Sequence, residues 1–169
     1  MSEPVSIMVA GRATVDLIME IDQFSVRAEK FKASNSLFVV VGPGANASIA
    51  IARFGGRPSL ITYLGDDTMG KFIFQKLTDE AVDLSKSMIS QNAQSSVSAA
   101  FVDSRGERQT FNFPGKGFSD LPNALKLDFK PSAILADNRY PELTKWAIKV
   151  GQNRRLPIVI DAEAPFNKS

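Results

Sequence analysis

The run VVVGPGANASIAIARFGG, Val39 to Gly56, holds the first residues whose types and spacing could do chemistry. An apolar, strand-like stretch breaks at Gly42-Pro43-Gly44, and a helix of small residues begins at once and stops at Gly55-Gly56. Glycines at such a turn let backbone approach another group closely, and Asn46 in the first helical turn offers both a donor and an acceptor. Three uses fit this pattern: a phosphate cradle, a sugar-binding loop, or only a tight turn.

Carboxylates recur where strands end. Asp16 lies in a strand region, Asp66-Asp67 follow an apolar run, Asp137 is succeeded by Asn138 and Arg139, and Asp161 by Glu163. In open parallel sheets ligands bind in the crevice beyond the carboxyl ends of the strands. Any one of these residues alone reads as a helix cap or a strand end, but several together favour a site.

The rest of the composition narrows the chemistry. The 169 residues contain no cysteine and no histidine, so disulfides, thiolate nucleophiles, the usual zinc sites and histidine triads are excluded. Acid–base work falls to Asp, Glu, Lys or Tyr. A net charge of +2 argues against nucleic acid as a partner recognised by bulk charge. The start, MSEPVSIMVAG, reads as neither a secretory signal nor a membrane span, so a cytoplasmic location is the default expectation.

The elements that must position these residues follow from periodicity. PVSIMVAG reads as a buried strand and a turn, and ATVDLIMEI as a second strand paired with the first or nearly so. Phe24 to Ser36 is polar and irregular, and Leu37 to Val41 is a third strand. Ala45 to Phe54 is a helix of small residues that can lie close to a sheet. Ser59 to Leu64 is β-rich. Gly65-Asp66-Asp67-Thr68 caps a helix whose inner stripe is Met69, Phe72, Ile73 and Leu77. Val97 to Val102 and Gln109 to Phe113 form a hairpin about Asp103 to Gly106, and Phe118 to Lys130, with Pro122, is a loop. Ala133 to Ala136, a helix opened by Pro141 and closed by Gly151, and Pro157 to Ile160 form a βαβ unit, which implies parallel strands. The layout is α/β.

Gly42, Gly44 and Ala47 also fit the dinucleotide pattern G-x-G-x-x-A, with Asp66 about 20 residues on, where a ribose-binding carboxylate belongs. Such a loop normally follows the first strand of its βαβ unit, whereas here two strands and a basic excursion precede it. PGKGFSD, Pro114 to Asp120, is not a Walker loop, because the glycine spacing is wrong and no Ser or Thr follows Lys116.

Taken together, the strand pair with Asp16, the VGPGANASIAIARFGG segment, LITYLGDDTMGKF, the SSVSAAFVDSRGERQTFNFPG hairpin and the ILADNR…LPIVIDAE unit resemble the amino-terminal half of the ribokinase-like, PfkB-type carbohydrate kinases. The glycine loop and the Gly-Asp-Asp-x-x-Gly segment are specific as a pair and weak singly. The resemblance implies a mostly parallel sheet flanked by helices, with a small β-lid. Residues 1–169 are then the amino-terminal, acceptor-binding part of a domain, with lid excursions near 22–41 and 95–113. It implies ATP-dependent phosphorylation of a sugar hydroxyl, with Gly42, Gly44, Asn46 and Asp16 on the acceptor. The loop departs from the common GG-x-x-x-N form at Val41 and Pro43. Within the family, LADNR, GERQTFNFP and Lys30 look most like the sulfofructose kinases, which implies an anionic ketose held by Lys30, Asn112 and Arg139.

The resemblance also implies what to expect beyond these residues. The anion hole, the catalytic Asp, most of the ATP pocket and the metal-associated residues lie later in the family's chains. No catalytic residue is therefore assigned here, and ATP and Mg2+ are expected of the full-length enzyme. The chain reads as a truncated kinase, expected to self-associate through an exposed sheet edge or the lid. The rival readings are a non-catalytic sugar-binding fragment, a nucleoside kinase of the same superfamily, and an unrelated NAD(P)-binding domain.

Overall fold

The computed structural model describes residues 3–163 apart from positions 26, 28, 29, 121–124 and 126; Pro122 lies outside the described residues. In chain order the elements are β1 (Ser6–Ala10), β2 (Thr14–Glu20), β3 (Asn35–Val41), α1 (Pro43–Arg53), β4 (Arg57–Ile61), β5 (Tyr63–Gly65), α2 (Thr68–Asp79), β6 (Met88–Ser90), β7 (Val97–Val102), β8 (Arg108–Phe113), β9 (Ala133–Asp137), α3 (Pro141–Arg154) and β10 (Ile158–Asp161).

The apolar run of β1 sits inside a parallel four-stranded sheet in the order β10-β9-β1-β4. A strand buried on both faces needs apolar side chains at every position, and both faces are covered. Val9, Leu60, Leu64, Ile73 and Leu77 pack in one layer with α1 and α2, while Met8, Ala10, Ile134, Leu143 and Ala147 pack in the other with α3. The βαβ unit β9–α3–β10 is parallel, as its pattern implies.

β2 does not pair with β1. It belongs to a second four-stranded sheet, β3-β2-β7-β8, in which β2 and β7 run parallel and each carries an antiparallel neighbour. The three residues Gly11 to Ala13 redirect the chain between the sheets. The patterns explain the separation, because β1 is apolar from Ile7 to Ala10 whereas β2 places Asp16 on one face and Val15 and Leu17 on the other. The turn from β7 to β8 is held by Asp103, whose carboxylate accepts the main-chain N–H groups of Arg105 at 2.9 Å and Glu107 at 3.0 Å.

A second correction concerns Gly151, which lies inside α3 rather than closing it. The helix ends after Arg154, with Arg155 in the left-handed region at φ 54°. Gly151 is needed for packing, since a Cβ there would lie 2.6 Å from the Ile158 side chain.

The Gly-Asp-Asp-x-x-Gly segment is a junction between the sheets. Asp67 caps α2 by accepting Gly70 N–H at 2.7 Å, and also accepts Ser95 N–H at 2.8 Å and the Ser95 hydroxyl at 2.7 Å. Burial works to raise the Asp67 carboxyl, but the hydrogen bonds from Ser95 and Gly70 outweigh it and hold the group below the usual carboxylate range. A depressed folded-state pKa contributes stability that is present above the unfolded value and lost as pH falls through the folded one. Asp67→Asn is expected to lower stability by about 1–2 kcal/mol at neutral pH. Its deficit against wild type should shrink below about pH 4. Urea titrations across that range check this, and a constant deficit would assign the effect to cap geometry instead of charge.

Candidate functional site

At the carboxyl edge of the parallel sheet, β1 leads into Gly11-Arg12-Ala13 beside the end of β9. Asp137 closes β9 and is 1% exposed. Its Oδ2 accepts the N–H groups of Arg12 at 2.7 Å and Gly44 at 3.1 Å, and its Oδ1 accepts Arg139 N–H at 2.9 Å. Burial pushes this carboxyl up, while the three N–H donors and the Arg12 charge oppose the shift.

The glycine loop wraps onto this carboxylate. A Cβ on Gly44 would lie 2.8 Å from the Gly11 carbonyl carbon, and one on Gly42, whose φ is 110°, would lie 2.6 Å from Arg12 O. The first N–H groups of α1 are already engaged: Gly44 with Asp137, Ala45 with Arg12 O at 3.3 Å and Asn46 with Gly42 O at 2.8 Å. Pro43 has none to give. An internal carboxylate thus occupies the helix terminus where a phosphate would otherwise sit. The loop is a tight turn closed on its own chain, and the phosphate-cradle use has no free donors.

The dinucleotide pattern also lacks its structural context. β3, which feeds the loop, is antiparallel to β2 in the second sheet, so no parallel βαβ unit surrounds the glycines. Asp66 forms an exposed ion pair with Lys71 at 2.9 Å instead of facing the loop.

Four buried side-chain atoms have no hydrogen-bond partner among the described residues: Arg12 Nε, Thr14 Oγ1, Arg139 Nε and Tyr140 Oη. They fall in two short segments on either side of Asp137. Buried polar groups are nearly always paired, so four unpartnered atoms in these two segments set this edge apart. Burial, then the charge of Arg139, lower the pKa of Arg12, while Tyr140, Asp137 and Asp16 oppose them. Burial lifts the Tyr140 phenol to about 12, so it is a neutral donor and not a base. Its ring is held edge-on against Tyr63, with centroids 5.0 Å apart, and against Phe118 at 6.2 Å.

The residues expected from sequence are brought together in part. Asp16 stands opposite Ser98, and Ser98 opposite Asn112, so the three share one row and one face of the second sheet. Asn112 Nδ2 donates to Ser98 Oγ at 2.9 Å. The charges of both Asp16 and Arg139 act on Arg12. Asn46 is exposed on the first turn of α1. Arg139 pairs through its outer nitrogen with Glu163. Lys30 is exposed, and no hydrogen bond or ion pair among the described residues joins it to Asn112 or Arg139.

Sequence reasoning passed over Arg12, Thr14 and Tyr140. The strand-end criterion that singles out Asp137 applies equally to Arg12, a cation just past β1.

The fold is a ribokinase-like α/β domain, with unpartnered buried polar atoms at the carboxyl ends of its parallel strands. The model of the pfkB family carbohydrate kinases matches residues 5–145, and the chain belongs to that family. It is 27% identical over 158 residues to 5-dehydro-2-deoxygluconokinase of Photobacterium profundum, covering 92% of this chain and 45% of that protein. It is 35% identical over 80 residues to a fructokinase of Klebsiella pneumoniae, covering 47% of this chain and 26% of that one. Among solved structures, the ribokinase of Arabidopsis thaliana complexed with ribose and ATP superposes with a TM-score of 0.76 at 18% identity, covering 96% of this chain and 55% of that one, a likeness of fold. The chain therefore spans about half the length, or less, of the relatives it matches.

Among the described residues no group of three or more carboxylates gathers to hold a cation, and the N–H groups at the start of α1 are taken. Among the described residues no helix is long and apolar enough to cross a membrane.

Proposed function

We propose that this chain supplies the acceptor-binding half of an ATP-dependent kinase acting on a sugar, and that the sugar is an anionic ketose carrying a sulfonate or phosphate. The convergence of unpartnered buried polar atoms around Asp137 carries the reading, because it lies where an open parallel sheet binds its ligand. Family membership supports the sugar class.

In this reading Asp16 accepts hydrogen bonds from sugar hydroxyls, Asn46 completes the hydroxyl contacts, and Gly42 and Gly44 bring the turn close to the sugar. Lys30, Asn112 and Arg139 hold the anionic substituent. A carboxylate aimed at hydroxyls disfavours ligands that lack them, because its acceptor oxygens are then left unpaired in the site. Phosphoryl transfer needs positioning and charge stabilisation of the moving group, and this half contributes only the positioning of its acceptor. The setting is cytoplasmic. The chain self-associates through the β10 edge, where Val159 is 59% and Ile160 41% exposed; concentration-dependent light scattering tests that.

The test of the acceptor reading is calorimetric binding of fructose and fructose 6-phosphate to the chain. Asp16→Ala is expected to weaken both by about 10- to 100-fold. Arg139→Ala should weaken fructose 6-phosphate alone, and unchanged affinity in that variant would remove Arg139 from the anion site. With Mg-ATP and either sugar, the chain by itself is expected to release no ADP.

A further inference from the structure

We propose that Arg12 is a specificity-determining residue that, with Arg139 and the Tyr140 hydroxyl, forms a paired-guanidinium site for a multi-oxygen anion. For the identity of the ligand as a sugar, this rests on the acceptor reading above.

The geometry supports Arg12 from three sides. Its Nε and that of Arg139 are both buried without a partner, and each guanidinium lies close enough for the charge of Arg139 to act on Arg12. The nearest buried carboxylate does not serve them, because Asp137 directs its oxygens to three main-chain N–H groups. Glu163 takes the outer end of Arg139 and leaves its Nε unmatched.

Asp16, Asp137 and Glu163 outnumber the two arginines, so donor placement and not excess positive charge makes the site. Two unpartnered Nε–H groups and a phenol that stays protonated come from the β1–β2 turn and the start of α3, two segments whose main chains meet at the Asp137 carboxylate. Guanidinium forks match anions with several oxygens, and a sulfonate or phosphate has an oxygen for each donor. A single carbohydrate hydroxyl has too few acceptor positions to satisfy all three. The Arg12 main-chain N–H, not its side chain, holds Asp137, so changing the side chain leaves that structural bond in place.

The experiment is NMR observation of the arginine Nε–Hε signals in the 169-residue chain, titrated with sodium sulfate, inorganic phosphate, fructose and fructose 6-phosphate. Arg12→Ala and Arg12→Lys are run alongside, with the amide spectrum confirming the fold. Sulfate and phosphate are expected to shift both the Arg12 and the Arg139 signals. Arg12→Ala should weaken fructose 6-phosphate by about 10- to 100-fold while leaving fructose within about twofold, and lysine should restore only part of the loss.

Equal losses for the two sugars would make Arg12 a positioning residue and overturn the proposal. So would anion titrations that leave both Nε–Hε signals unmoved. If fructose 6-phosphate binds the wild type and both variants equally, the paired site fails and the acceptor reading stands. If no sugar binds but sulfate still shifts both signals, the acceptor reading fails and the anion site stands.

Discussion

Replacing Asp137 by asparagine is expected to destabilise the chain by about 3 kcal/mol, a large part of the stability of a domain this size. Asparagine matches the shape of aspartate but has one acceptor oxygen and an amide that donates. Asp137 Oδ2 receives two N–H groups and Oδ1 a third, so either orientation of the amide points a donor at a donor. The chain cannot relax around the conflict, because a Cβ on Gly11 would already lie 2.2 Å from Oδ2. Leaving buried donors unpaired costs about 1–3 kcal/mol each. Urea unfolding of the two proteins measures the difference. A loss under about 1 kcal/mol would mean that the three donors find other acceptors, and Asp137 would cease to be the centre of the site.

Gly70→Ala is expected to destabilise by about 3 kcal/mol, against the sign that helix propensity gives. Alanine is the better helix former by about 1 kcal/mol, and Gly70 lies in the first turn of α2. The new Cβ, however, would sit 2.0 Å from Gly65 O and 2.8 Å from Ser95 Oγ. Gly65 O is backbone, and the Ser95 hydroxyl is bonded to Asp67, so neither can move without opening the junction. Gly55→Ala is the control: its Cβ meets nothing within 4 Å, and only the positive φ of 83° resists it. That variant should lose about 1 kcal/mol. If Gly70→Ala matched or exceeded wild type in the same urea titration, the close approach of the two backbone segments would be wrong.

These two residues mark the limits of what the sequence made legible. Local elements follow from local patterns. The apolar run of β1, the capped stripe of α2, the β7–β8 hairpin and the two strands of the βαβ unit ending at Asp161 all stand where periodicity and turn residues place them, whereas α3 runs past Gly151. The partner of β2 was not legible, because pairing is decided by how three residues, Gly11 to Ala13, redirect the chain. The glycine loop was recognised as a loop, but the group that occupies it comes from position 137, a separation of 93 residues from Gly44. Arg12 carried no motif of its own. What sets it apart is a buried, unpartnered Nε and a main chain that meets that of Arg139 at Asp137, which no short window of sequence contains.

That same carboxylate sets an order of events during synthesis. Asp137 lies 125 residues after Arg12 and 93 after Gly44, and it satisfies the main-chain donors of both. A ribosome adding about 5–20 residues per second makes the turn and the start of α1 many seconds before it makes their acceptor. Through that interval the emerging chain holds an uncapped helix start and an unanchored β1–β2 corner, in water or in a chaperone. Closure of this corner therefore awaits translation of β9, and a pause upstream of codon 137 would prolong the exposed state.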